Sequence, residues 1–73
     1  MKGVIIMTER FTKRLDRKLE TLEKSNSEMV STALAFGIES YIEGAMDCDA
    51  LTQEEYFTAL ERLEEVKARK GVI

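Results

Sequence analysis

Between Met29 and Met46 the apolar side chains, set out at about 100° per residue, cover roughly 260° of a helix circumference. Met29, Val30, Ala33, Leu34, Ala35, Phe36, Gly37, Ile38, Tyr41, Ile42 and Ala45 make up this arc, which leaves Glu28, Thr32, Glu39 and Glu43 in one polar strip. A helix of this kind has to be covered on most of its sides. The question for the rest of the chain is how much cover it can supply.

Two further amphipathic segments flank the central one. Phe11, Leu15, Leu19 and Leu22 recur at helical spacing, with Thr8 as N-cap and Glu9–Lys13 and Glu20–Lys24 as i,i+4 pairs. Ser25-Asn26-Ser27 interrupts that pattern, and Ser25 with Glu28 forms the sequence of a capping box for the central helix. Gly44 stands where a left-handed residue would end it. Asp47-Cys48-Asp49 then links to Thr52 and Glu55, a second capping-box sequence, before the stripe Tyr56, Ala59, Leu60, Leu63 and Val66. Lys67, Arg69 and Lys70 suit the last turn of this third helix, and Gly71 closes it. The expected helices are therefore about 8–24, 26–43 and 52–70 in a single domain spanning 1–73.

Short links between consecutive helices favour antiparallel neighbours. The expected fold is all-α: three helices, up-down-up and antiparallel, with the central helix shared by the other two. Each flanking stripe shields about 100° of its neighbour, so two of them leave part of the central arc bare. A second copy would cover it, giving a homodimeric helical bundle in which Met29, Ala33, Phe36, Gly37 and Tyr41 form the dimer or partner interface. Gly37 costs its helix about 1 kcal/mol relative to Ala. With Ala33 and Gly44 on nearly the same side, it is read as the place where another helix crosses closely.

Size points the same way. At 73 residues the chain buries only about 60% of the surface its unfolded form exposes. Small domains offset this with disulfides, metals or oligomerisation. One cysteine, Cys48, and no histidine leave oligomerisation. No apolar run approaches the roughly 20 residues of a membrane span, and no signal-peptide pattern is present, so a cytoplasmic protein with no membrane partner is expected. Lys-Gly-Val ahead of Met7 has codons able to spell a ribosome-binding sequence. Met7 is accordingly a candidate start, residues 1–7 are candidates for non-native or disordered sequence, and a bacterial or phage source is expected.

The formal charge of −3 is unevenly spread. From Arg10 to Lys24 six basic residues outnumber Asp16, Glu20 and Glu23, whereas from Ser25 to Val66 ten carboxylates face Arg62 alone. Glu39, Glu43, Glu61, Glu64 and Glu65 form a candidate acidic face for a basic partner; ordinary solubilising charge is the plainer account. Net acidity argues against generic nucleic-acid binding.

Catalytic chemistry has no visible carrier. No His is available, Cys48 lacks an imidazole and sits between two aspartates, and no glycine-rich loop precedes a helix. Asp47, Asp49, Glu54 and Glu55 fall short of a calcium loop, which would need a turn glycine and a Glu where Thr58 stands. An enzyme, a cofactor and a metal are not expected.

Arg14-Leu15-Asp16, Leu19, Leu22, Ser27-Glu28-Met29-Val30, Ala33-Leu34 and Tyr41-Ile42, within residues 10–42, resemble the ribbon-helix-helix repressors and antitoxins. The resemblance implies an N-terminal strand paired with that of a dimer mate, with Arg10, Thr12 and Arg14 reading bases. It also implies Ser27 at a phosphate and an acidic C-terminal helix that binds a partner. Helical spacing of Phe11, Leu15, Leu19 and Leu22 accounts for the same residues without a strand. The leading expectation is thus a small, non-catalytic helical protein that dimerises and binds another protein as a regulator or inhibitor, the DNA-binding repressor or antitoxin being the alternative.

Overall fold

A computed structural model of the chain describes residues 2–72, with side chains from residue 9 onward. Met1 and the side chains before Glu9, on which the start-site expectation bears, lie outside the described residues. Three helices account for most of it: α1 Lys2–Lys24, α2 Glu28–Asp47 and α3 Gln53–Lys70, with no strand among the described residues. Thr8 lies inside α1 and starts nothing. The molecule measures 41 × 18 × 16 Å, its long axis following the helices.

The stripes read in α1 and α3 become the core. Phe11, Leu15, Leu19 and Leu22 of α1 are all buried, as are Ala59, Leu63 and Val66 of α3, while Tyr56 and Leu60 are half-buried. Against them α2 sets Ala35, Ile38 and Ile42 together with Ser31. Leu51 from the second link and Val72 beyond α3 complete the cluster. All three pairs of helices pack, α1 on α3 included, so the core is enclosed by three rods with α2–α3 the most extensive contact.

Ionic and polar contacts tie α1 to α3. Arg62 pairs with Asp16, and Arg69 holds the Glu23 carboxylate from Nε at 3.1 Å and Nη2 at 2.8 Å. These pairs are substantially exposed, which limits each to under about 1 kcal/mol. The Lys70 ammonium donates to the carbonyl of Ser25 at 2.7 Å, joining the last turn of α3 to the first link.

Both ends of α2 also differ from the sequence expectation. Ser27, not Ser25, caps α2: its side chain accepts from the Val30 amide. Ser25 instead donates to the Leu22 carbonyl at 2.6 Å and bonds to the buried Ser31 hydroxyl, so it finishes α1. Gly44 does not end α2, which continues to Asp47 because Ala45 and Met46 still pack on the core. The left-handed residue is Asp49, at φ 58°, and Ala50 N–H closes on the Ala45 carbonyl at 2.9 Å. At α3 the expectation holds at both ends. Thr52 and Glu55 form a reciprocal capping box, and Gly71 takes φ 71°.

Candidate functional site: the outer face of α2

With Ser31, Ala35, Ile38 and Ile42 facing the core, the residues on the far side of the same helix are left exposed. Helical spacing puts Met29, Ala33, Phe36, Gly37, Ser40 and Gly44 there, with Val30 at the edge. Met29 is 81% exposed, Phe36 67% and Val30 48%. Large apolar side chains this open, on one helix of a small molecule, form the kind of patch that marks an interaction surface. A Cβ built on Gly37 or Gly44 meets nothing within 4 Å. Among the described residues no close crossing at Gly37 is present, and the centre of the face is smooth and open.

Tyr41 belongs elsewhere. Its ring stacks on Phe11 with centroids 5.1 Å apart and planes within 8°, and the Lys18 ammonium lies 4.9 Å over it. It is half-buried between α1 and α2, which removes it from the candidate interface that holds Met29, Ala33, Phe36 and Gly37. Burial pushes the Tyr41 hydroxyl pKa up, and the Arg14 charge partly offsets this.

The two flanks of the open face differ in charge. On one side Phe36, Glu39, Ser40, Glu43, Gly44 and Asp47 share a shallow depression. There Tyr56 donates to Glu43 Oε2 at 2.6 Å. That hydrogen bond, then desolvation and the charges of Glu43, Glu39 and Asp47, raise the Tyr56 pKa. On the other side a groove of about 370 Å³ runs between α1 and α2, floored by Ala33, Leu34, Gly37 and Ile38 and rimmed by Arg17, Lys18 and Thr21.

The remaining acidic candidates are spread over α3. Glu61, Glu64 and Glu65 are all exposed, and Glu64 pairs with Lys67 at 3.2 Å. Phe57 stands among them, 58% exposed and tilted against Tyr56. Helical spacing places it one turn from both Glu54 and Glu61. Sequence reasoning passed over Phe57; its position outside the Tyr56–Leu60–Leu63 stripe was the available signal.

Arg10, Thr12 and Arg14 lie exposed on α1, in helical backbone, where a base-reading ribbon calls for extended chain. Ser27 is exposed at the start of α2. Among the described residues no three acidic, Cys or His side chains gather as a metal ion would require, and no helix is long and apolar enough to cross a membrane. Cys48 is exposed. No family model matches the chain, and neither the curated proteins nor the solved structures include one significantly similar to it.

Proposed function

We propose that this is a small, non-catalytic helical regulator that associates with itself through the outer face of α2 and offers its remaining surface to a protein target. The observation that carries the reading is the open apolar face centred on Phe36 and Met29. An 8.3 kDa chain gains little from leaving such a face in water, and a two-fold dimer is the commonest way to cover it. Within each subunit the proposed arrangement is up-down-up, with α2 antiparallel to both neighbours. Asp16–Arg62 and Glu23–Arg69, both 46 residues apart, support α1 and α3 running the same way. Phe11–Tyr41 supports α2 running against α1.

The target-facing surface is assigned to α3, where Phe57 sits among Glu54, Glu61, Glu64 and Glu65. A partner fitting it would present basic side chains around an apolar pocket, a combination that gives anchoring and steering together. Masking such a surface on another protein is how a chain without catalytic groups can regulate or inhibit.

Light scattering over a wide concentration range tests the self-association. A dimer that Phe36→Glu converts to a folded monomer is expected, and a well-folded monomer at high concentration for the unaltered chain would overturn the reading. For the target, charge reversal at Glu61 and Glu65 together should abolish recovery of a specific host protein and leave the dimer intact. Retarded duplex DNA with strong salt dependence would favour a nucleic-acid role instead.

A further inference from the structure

We infer that two copies pair with their α2 helices parallel about a two-fold axis, the Phe36 ring of each seated in the groove between α1 and α2 of the other. This rests on the self-association proposed above and adds its geometry. The open face is asymmetric: a protruding Phe36 and the carboxylates of Glu39 and Glu43 mark one flank, an apolar groove rimmed by Arg17 and Lys18 the other. A two-fold axis running along the paired helices sets unlike flanks together. An axis perpendicular to them in the plane of the contact sets like flanks together, acid on acid and base on base, which costs affinity.

Heights along α2 agree with the parallel choice. The groove floor is made by Ala33, Leu34, Gly37 and Ile38, which bracket Phe36 in sequence, so the ring meets the partner's groove without axial slip. Lys18 lies over Tyr41, and the Arg14 charge acts on the same residue. These cations thus stand level with Glu39 and Glu43, and in a parallel pair they meet those carboxylates across the contact. Gly37, with open space beyond it, lets the two helices approach closely enough for Phe36 to reach the groove floor.

Cross-linking decides the orientation. In the full chain with Cys48→Ser, Ala33→Cys and Gly44→Cys are made separately, both at exposed positions. Residues 33 and 44 are about 16 Å apart along the helix. In a parallel pair each variant forms a disulfide with its own copy under mild oxidation, and an equimolar mixture forms no 33–44 product. A 33–44 product without self-cross-links overturns the parallel geometry while self-association stands. A dimer by light scattering with neither product places the contact elsewhere and also overturns the inference. A monomer removes the underlying reading itself. Phe36→Ala is a second probe: helix content by circular dichroism should be unchanged, and dimer dissociation should become about 30-fold easier. Unchanged dissociation would refute the seating of Phe36.

Discussion

The rings of Phe11 and Tyr41 lie nearly parallel, 5.1 Å apart at their centroids, and lock the first half of α1 against the second half of α2. Phe11 is buried in the core, while Tyr41 covers it and is itself covered by Lys18. Phe11→Ala is expected to cost about 3 to 5 kcal/mol, a large share of what a chain this size possesses. Tyr41→Phe keeps the stack and should change stability far less than Tyr41→Ala. Urea unfolding followed by circular dichroism measures all three.

At α3 the capping box is complete, with Thr52 Oγ1 accepting from the Glu55 amide at 3.1 Å and the Glu55 carboxylate accepting from the Thr52 amide at 2.8 Å. Thr52→Ala should remove about 1 kcal/mol. For a domain of this length that corresponds to a melting-point drop of roughly 4–8 °C. A thermal scan showing no drop would mean that water replaces the cap at no cost.

The two linked hydroxyls at the α1–α2 junction predict an asymmetry. Ser25 spends its proton on the Leu22 carbonyl, so Ser31, which is buried, donates to Ser25. Ser31→Ala leaves the Ser25 bond in place, whereas Ser25→Ala strips the buried Ser31 hydroxyl of its acceptor at a cost of about 1–3 kcal/mol. Comparing the two variants in chemical denaturation checks the order.

Alkaline pH should loosen the α2–α3 contact. The Tyr56 hydroxyl is held above its ordinary value of 10.0, first by its hydrogen bond to Glu43. The neutral form is thus favoured in the folded state, and its contribution is fully present below the unfolded pKa and is lost as pH rises through the folded one. Glu43→Gln should bring the Tyr56 titration part of the way back toward 10.0, since Glu39 and Asp47 remain. Tyrosinate absorbance against pH measures the shift, and an unmoved curve would contradict it.

Gly44 separates local from intermolecular effects. It lies in helical backbone with open space beyond, so Gly44→Ala should raise helix stability by up to about 1 kcal/mol. Gly71→Ala, at φ 71°, should cost about 1–2 kcal/mol. Gly37→Leu should leave the subunit folded and weaken the proposed dimer, because a large side chain would hold its paired helices apart. Calorimetry and light scattering report the two quantities independently.

In α1 and α3 the buried faces were legible residue by residue, because each carries a single narrow stripe and only one orientation hides it. The arc in α2 was legible only as excess. Its width told that something stays uncovered, but Ser31 facing inward and Phe36 outward follow from how α1 and α3 close on the core, and no periodicity in α2 specifies that. The two ends of α2 were misjudged for a related reason, whereas both ends of α3 held. Ser25 and Ser27 are both competent caps; Ser25 is held by the Leu22 carbonyl and the Ser31 hydroxyl, which leaves Ser27 to cap α2. Gly44 offered a stop, and burial of Ala45 and Met46 overrode it.

The core shared by all three helices has a consequence for synthesis. Of the three rods the third leaves the ribosome last, yet it supplies Ala59, Leu63 and Val66 to the common interior. Until it emerges, the nascent pair of helices must wait with its oily surfaces turned to water, which makes that interval the one in which the chain is most open to aggregation.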